Sequence, residues 1–167
     1  MKKIILMLLA FMPMAMMAQT AKFGHIDTQS IMQSMPEFIK ARGELEAEQK
    51  QYENEMQELQ KEFQTKAEEY EKNKATMNQT TQQQTEASLQ EMYAKINQSG
   101  QDYQRKLQES QQTKMQPLFT KIQNAIQAVG KAGGYVYIME TGSALYISDT
   151  LSKDVTSDVK SELAKMK

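Results

Sequence analysis

The sequence predicts a mostly helical α+β protein: a small β-sheet association body from which each subunit projects one long antiparallel coiled-coil hairpin arm. Three features predict it. Between Pro36 and Gly130, proline occurs only at 117 and glycine only at 43 and 100, and the strong helix formers Glu, Gln, Lys, Ala, Met and Leu dominate. Apolar residues within that stretch recur with a period near seven. The flanking segments are short and rich in aromatic and β-branched residues, the composition of strands.

The chain starts with Lys2 and Lys3, an apolar run from Ile4 to Met17, and small residues at Ala15, Ala18 and Ala21. A charged start, a short apolar middle and a small-residue exit read as a secretory signal peptide over residues 1–18. The run of about 14 residues falls short of the roughly 20 that span a bilayer as a helix. Export is therefore expected.

Residues 19–35 form the first part of the body, with a strand at Lys22–Asp27 and a short helical turn through Ile31 and Met32. Ser34-Met35-Pro36-Glu37 has the capping-box spacing, with Ser34 as the expected N-cap of the arm. The arm covers 36–130. Its first seam runs through Phe38, Leu45, Tyr52 and Leu59, with Met56, Phe63, Tyr70 and Met77 on a line offset by four. A second seam runs through Leu89, Ile96 and Tyr103, with Tyr93 and Leu107 as companions. It loses phase at Ser110 to Lys114 and resumes at Leu118, Ile122, Ala125 and Val129. Pro117 beside that break predicts a kink.

The polar run at 78–85 contains three threonines and is read as the hairpin tip; one unbroken helix is the alternative. Two helices of roughly 45 residues would each be about 65 Å long and return the chain to the level it left. Gly130-Lys131-Ala132-Gly133-Gly134 ends the arm.

Residues 131–167 complete the body. Tyr135–Glu140 reads as a strand, Thr141-Gly142-Ser143 as a turn, and Ala144–Ser148 as a second strand in a hairpin. A last helix is capped by Asp154 and carries Val155, Val159, Leu163 and Met166 on one face. The body totals about 55 residues, a size at which a single core is marginal. Association through the sheet resolves this, and Phe23, Ile26, Val136, Ile138, Leu145 and Ile147 are the residues assigned to it.

Chemistry-bearing motifs are sparse. There is no cysteine and one histidine, His25, so neither a thiolate site nor a multi-histidine metal site can be built. Gly130-Lys131 lacks the first glycine and the following Ser or Thr of a phosphate loop. Glu68-Glu69 and Glu44, Glu46 and Glu48 lie among lysines and read as solvated helix faces. The formal net charge of −1 argues against a nucleic-acid partner. No enzyme activity, cofactor or metal is expected.

The ends of the chain are similar to the Skp/OmpH family of periplasmic chaperones. The matching pieces are Phe23 to Met32 with Pro36-Glu37 at the start. At the end they are Pro117, Ala125-Ile126, Val129, Gly134 to Met139 and Asp154 to Val159. The resemblance implies a periplasmic homotrimer with a central β body and three helical tentacles enclosing a cavity. It also implies an ATP-independent holdase for unfolded outer-membrane β-barrel proteins. Family members with strongly basic arms differ from this chain, where both signs of charge are interspersed from Glu37 to Lys131. Membrane or lipopolysaccharide contact is thus not supported by arm charge. Met56, Met77, Met92 and Met115 suit either a promiscuous lining or the seam itself. Gly43, Gly100 and the region of Pro117 are candidate soft points, and Gly100 fits a close-packing position equally well. A structural or adaptor coiled coil of the cell envelope is the alternative function.

Overall fold

The computed structural model describes residues 21–166. The expected signal peptide, 1–18, lies outside the described residues. In chain order the elements are strand β1 (Lys22–Ile26), helix α1 (Thr28–Gln33), helix α2 (Pro36–Asn73), helix α3 (Gln79–Gly133), strand β2 (Tyr135–Glu140), strand β3 (Ser152–Asp154) and helix α4 (Thr156–Leu163).

The arm is α2 packed against α3. Its start differs from the expected capping box. Met35 occupies the N-cap with Pro36 in the first turn, and the Ser34 hydroxyl instead donates back to the Ile31 carbonyl at 2.7 Å, closing α1. The tip also differs, lying ahead of 78–85. A short 3₁₀ turn at Lys74–Thr76 reverses the chain, and Asn78 caps α3 by accepting from the Thr81 amide at 2.9 Å. Gln82 braces the turn, donating to the carbonyls of Lys74 at 2.8 Å and Met77 at 3.2 Å. Most of the polar run is therefore the first turns of a helix. Its side chains satisfy the helix terminus rather than compete with it.

The helices are unequal, 38 residues in α2 and 55 in α3. α3 continues through Pro117, where the missing amide leaves the Thr113 carbonyl without its helical donor. It then enters the body. Gly134, at φ +66°, ends it in a left-handed cap whose amide bonds back to Gly130 and Lys131.

The sheet has the order β2-β1-β3, and both pairings are parallel. The expected antiparallel hairpin is absent. After β2 the chain crosses to the far side of β1, and 144–148, with Leu145 and Ile147, is not a strand. Parallel neighbours need a long crossover, which the helical arm supplies between β1 and β2, while 141–151 carries the chain past β1 to the opposite edge. The β propensity of 144–148 depends on a surface to pack against, and the single chain offers none there.

The register shifts between Lys22 and Phe23, which pair with Tyr135 and Tyr137, so Val136 is the extra residue of a bulge. Ile26, Ile31, Met35, Ile122, Ala125, Val155, Val159 and Leu163 form the core on one side of the sheet. Gly24 lets the sheet close on that core, since a Cβ there would sit 3.1 Å from Ile138 Cγ1. Val155, not the expected Asp154, is the N-cap of α4; Asp154 Oδ1 accepts from the Thr156 amide at 2.8 Å one residue ahead of it.

Candidate functional site

Two surfaces stand out: the seam and flanks of the arm, and the uncovered face of the sheet. Near the body, the arm's helices are joined by ion pairs. Lys121 meets Glu37 at 2.9 Å, and Lys114, half-buried, bridges Glu44 and Glu48, the latter at 3.3 Å. Lys114 sits where the second seam loses its phase, so the apolar break is filled by an interhelical ion cluster. The hydrogen bond from Lys121 holds the Glu37 carboxyl below its ordinary range, and that from Lys114 does the same for Glu44.

Farther out the seam is aromatic and thioether-rich. Tyr52 and Tyr103 stack at 4.5 Å between centroids and 11° between planes. The Tyr103 hydroxyl donates to Glu55 at 2.6 Å, which lowers the Glu55 pKa and raises that of Tyr103. Met56 Cε would lie 3.8 Å from a Cβ built on Gly100, an ordinary contact, so the packing there does not demand glycine. Gly43 meets nothing within 4 Å. Tyr70, buried near the tip, donates to Glu86, and that bond pushes its pKa up to about 12.

Leu45, Leu59, Phe63, Ile96 and Leu107 are half-buried along the same seam. Tyr93 is not in it. It is 60% exposed at the rim, its ring 6.2 Å from that of Phe63, and half-buried Met92 holds the expected companion position. Both Leu89–Met92–Ile96 and Leu89–Tyr93–Ile96 alternate threes and fours, and packing selects the first. On the flank, Leu59, Met92 and Ile96 floor a groove of about 240 Å³ rimmed by Glu62, Lys66, Glu91 and Lys95.

In the body, the residues assigned to association divide. Ile26 is buried in the core and Ile138 packs against it, so these two serve the fold of the single chain. Phe23 lies half-buried on the opposite face, its ring 4.8 Å from that of its register neighbour Tyr137. Val136 is 65% exposed, Leu145 fully exposed and Ile147 half-buried. Exposed Tyr137, Met139, Tyr146 and Leu151 extend this apolar surface. The Val136 bulge, which the strand composition does not reveal, turns Tyr137 and Met139 outward and Ile138 inward.

His25 is on the same uncovered face, its Nδ1 2.9 Å from Ser152 Oγ. Among the described residues, no group of three or more His, Cys, Asp or Glu side chains could hold a metal ion. No described helix is long and apolar enough to cross a membrane.

No curated protein sequence matches the chain. Among solved structures it is similar to one from Caulobacter crescentus CB15, described as a proposed OmpH-like outer membrane chaperone. The TM-score is 0.72 at 17% identity, covering 86% of this chain and 83% of that one. That likeness establishes the common fold, a small sheet with long helical arms. The model of the OmpH-like outer membrane protein family matches residues 22–163, nearly the whole described chain. The protein is a member of the OmpH-like family.

Proposed function

We propose that the protein is an ATP-independent periplasmic holdase chaperone, a homotrimer that keeps unfolded outer-membrane β-barrel proteins soluble between its arms. The observation that carries this reading is a long two-helix arm on a body whose sheet is covered by helices on one side only. The uncovered face bears Phe23, Tyr137 and Met139, and the free edge of β2 lies beside it. A small body with one bare apolar face is completed by further copies of itself. Three arms fixed at one end then bound a shared volume.

Holding a chain in that volume needs no nucleophile and no energy source. Unfolded barrels expose strand edges that pair with one another, and binding them one at a time opposes this by mass action. Grooves such as the one floored by Leu59, Met92 and Ile96 offer adaptable, weak apolar contacts within a charged rim. Mixed arm charge makes these contacts, rather than a single-sign field, the source of capture.

The test is light scattering of an outer-membrane barrel diluted from urea. Stoichiometric trimer is expected to suppress aggregation. Unchanged scattering at severalfold excess would transfer the protein to the structural or adaptor role. Sedimentation equilibrium at micromolar concentration checks the assembly separately.

A further inference from the structure

The chain has 14 methionines and no cysteine, so all of its sulfur is thioether. Met92 meets two environments at once. It is the half-buried seam residue between Leu89 and Ile96 on α3, and with Leu59 and Ile96 it floors the groove of about 240 Å³ on the arm's flank. Seam side chains are ordinarily closed off by their neighbours. This one borders solvent through an opening rimmed by Glu62, Lys66, Glu91 and Lys95. We propose that Met92 is an oxidation site whose conversion to the sulfoxide weakens both the arm and its hold on unfolded chains. The loss of hold rests on the holdase function proposed above, whereas the weakening of the arm stands without it.

The co-reactant is hydrogen peroxide. A lone pair on Met92 Sδ attacks one peroxide oxygen, and the S–O bond forms as the O–O bond breaks. The departing hydroxide takes the proton of the transferred oxygen and leaves as water. The thioether loses two electrons and the peroxide gains them. Reversal needs a dithiol: a methionine sulfoxide reductase removes the oxygen as water while the dithiol closes to a disulfide.

The product is polar and chiral at sulfur, where the thioether was apolar and flexible. In the seam its oxygen is a hydrogen-bond acceptor beside Leu59 and Ile96, whose side chains have no donor to offer. In the groove it removes one of the three apolar residues of the floor. Other methionines lie in different settings. Met35 is 4% exposed within the core, and Met139, 39% exposed, belongs to the sheet. Met56 and Met115 are half-buried elsewhere along the arm, and Met77 ends the tip turn.

The test is titration of the whole protein with hydrogen peroxide beside Met92→Leu, a volume-conserving exchange that cannot be oxidised. Peptide mass spectrometry, thermal melting of the helical signal and the scattering assay are read on each sample. Met92 is expected to reach half conversion at least about fivefold sooner than Met35. Oxidised wild type should melt about 4 °C or more below the untreated protein, and severalfold more of it should be needed to suppress scattering. Both losses should follow Met92 conversion across the titration, a readout that needs no variant. Met92→Leu should lose less than half as much of either under the same treatment, and reductase with a dithiol should restore the wild type. Met92 oxidised no faster than Met35, or losses in Met92→Leu equal to those of the wild type, overturns the proposal. Untreated wild type that leaves scattering unchanged removes the holdase reading instead, and the melting comparison still decides the oxidation site.

Discussion

Tyr52 and Tyr103 stack face to face across the arm, and the Lys106 ammonium lies 6.0 Å and 5.8 Å from their ring centroids. Offset aromatic pairs contribute about 0.5–1.5 kcal/mol beyond their buried area. Tyr103 additionally anchors Glu55. Tyr103→Ala is expected to destabilise the arm by about 2 kcal/mol, half-buried rings losing less than fully buried ones. Urea unfolding followed by far-ultraviolet circular dichroism measures this, and a Tyr103→Phe variant should retain most of the stability.

The arm's polar bonds set its response to pH. Glu37, Glu44 and Glu55 have carboxyls lowered by their cross-helix partners. The unfolded chain binds more protons than the folded one in that range, so stability rises with pH through the acid region. The contribution is complete above the ordinary carboxylate values and is lost as pH falls through the lowered ones. Tyr70 behaves in mirror image. Its contribution is whole below the ordinary tyrosine value near 10 and disappears toward about 12. Melting temperature should therefore be level near neutrality and fall at both extremes, with Glu44→Gln reducing the acid slope and Tyr70→Phe the alkaline one.

Lys114 sits between Glu44 and Glu48 where the apolar pattern lapses. Lys114→Met keeps the stem's volume and leaves the two carboxylates to each other. Its melting temperature is expected to fall below that of the wild type in dilute buffer. The difference should shrink at 1 M salt, where the screening length is about 3 Å. A deficit independent of salt would mean that packing, not charge, is what Lys114 supplies.

The body depends on few side chains, and Ile31, Val155 and Val159 are the largest that are wholly enclosed. Ile31→Ala should cost about 3 kcal/mol, within the range for an enclosed aliphatic cut to alanine. In so small a core that is a large share of total stability. Calorimetry should show the body melting before the helical signal of the arm is lost.

Those contrasts also explain which parts of the molecule the sequence makes legible. Heptads through Leu45, Tyr52, Met56 and Leu59 specify a long-range period, and helix period is independent of what the helix packs against. Position along that period is less secure: Tyr93 and Met92 both fit a four–three spacing between Leu89 and Ile96, and only packing selects Met92. The tip misleads because Asn78 and the threonines after it are penalised inside helices but rewarded at their starts. The body is legible as strands and helix but not in its pairing. Ala144–Ser148 has the residues of a strand with no neighbour in its own chain, and the bulge at Val136 inverts the faces of β2 after it. Of the residues assigned to association, Phe23 lies on the uncovered face. Ile26 and Ile138 lie on the covered face, because which face a strand buries is decided by the helices that land on it.

The central strand of the sheet comes first in the described chain, and both of its neighbours come last: Lys22 pairs with Tyr135 and His25 with Asp154. No part of the sheet is local in sequence, so its pairings carry a high contact order and form slowly. The arm shortens that search. Once α2 and α3 zip together from the turn at Lys74–Thr76, the two ends of the chain are delivered side by side. During synthesis the sheet therefore has to wait for the carboxyl-terminal segment to emerge. A nascent chain halted before Tyr135 would expose an unpaired strand at the foot of a finished hairpin, itself the kind of species that aggregates.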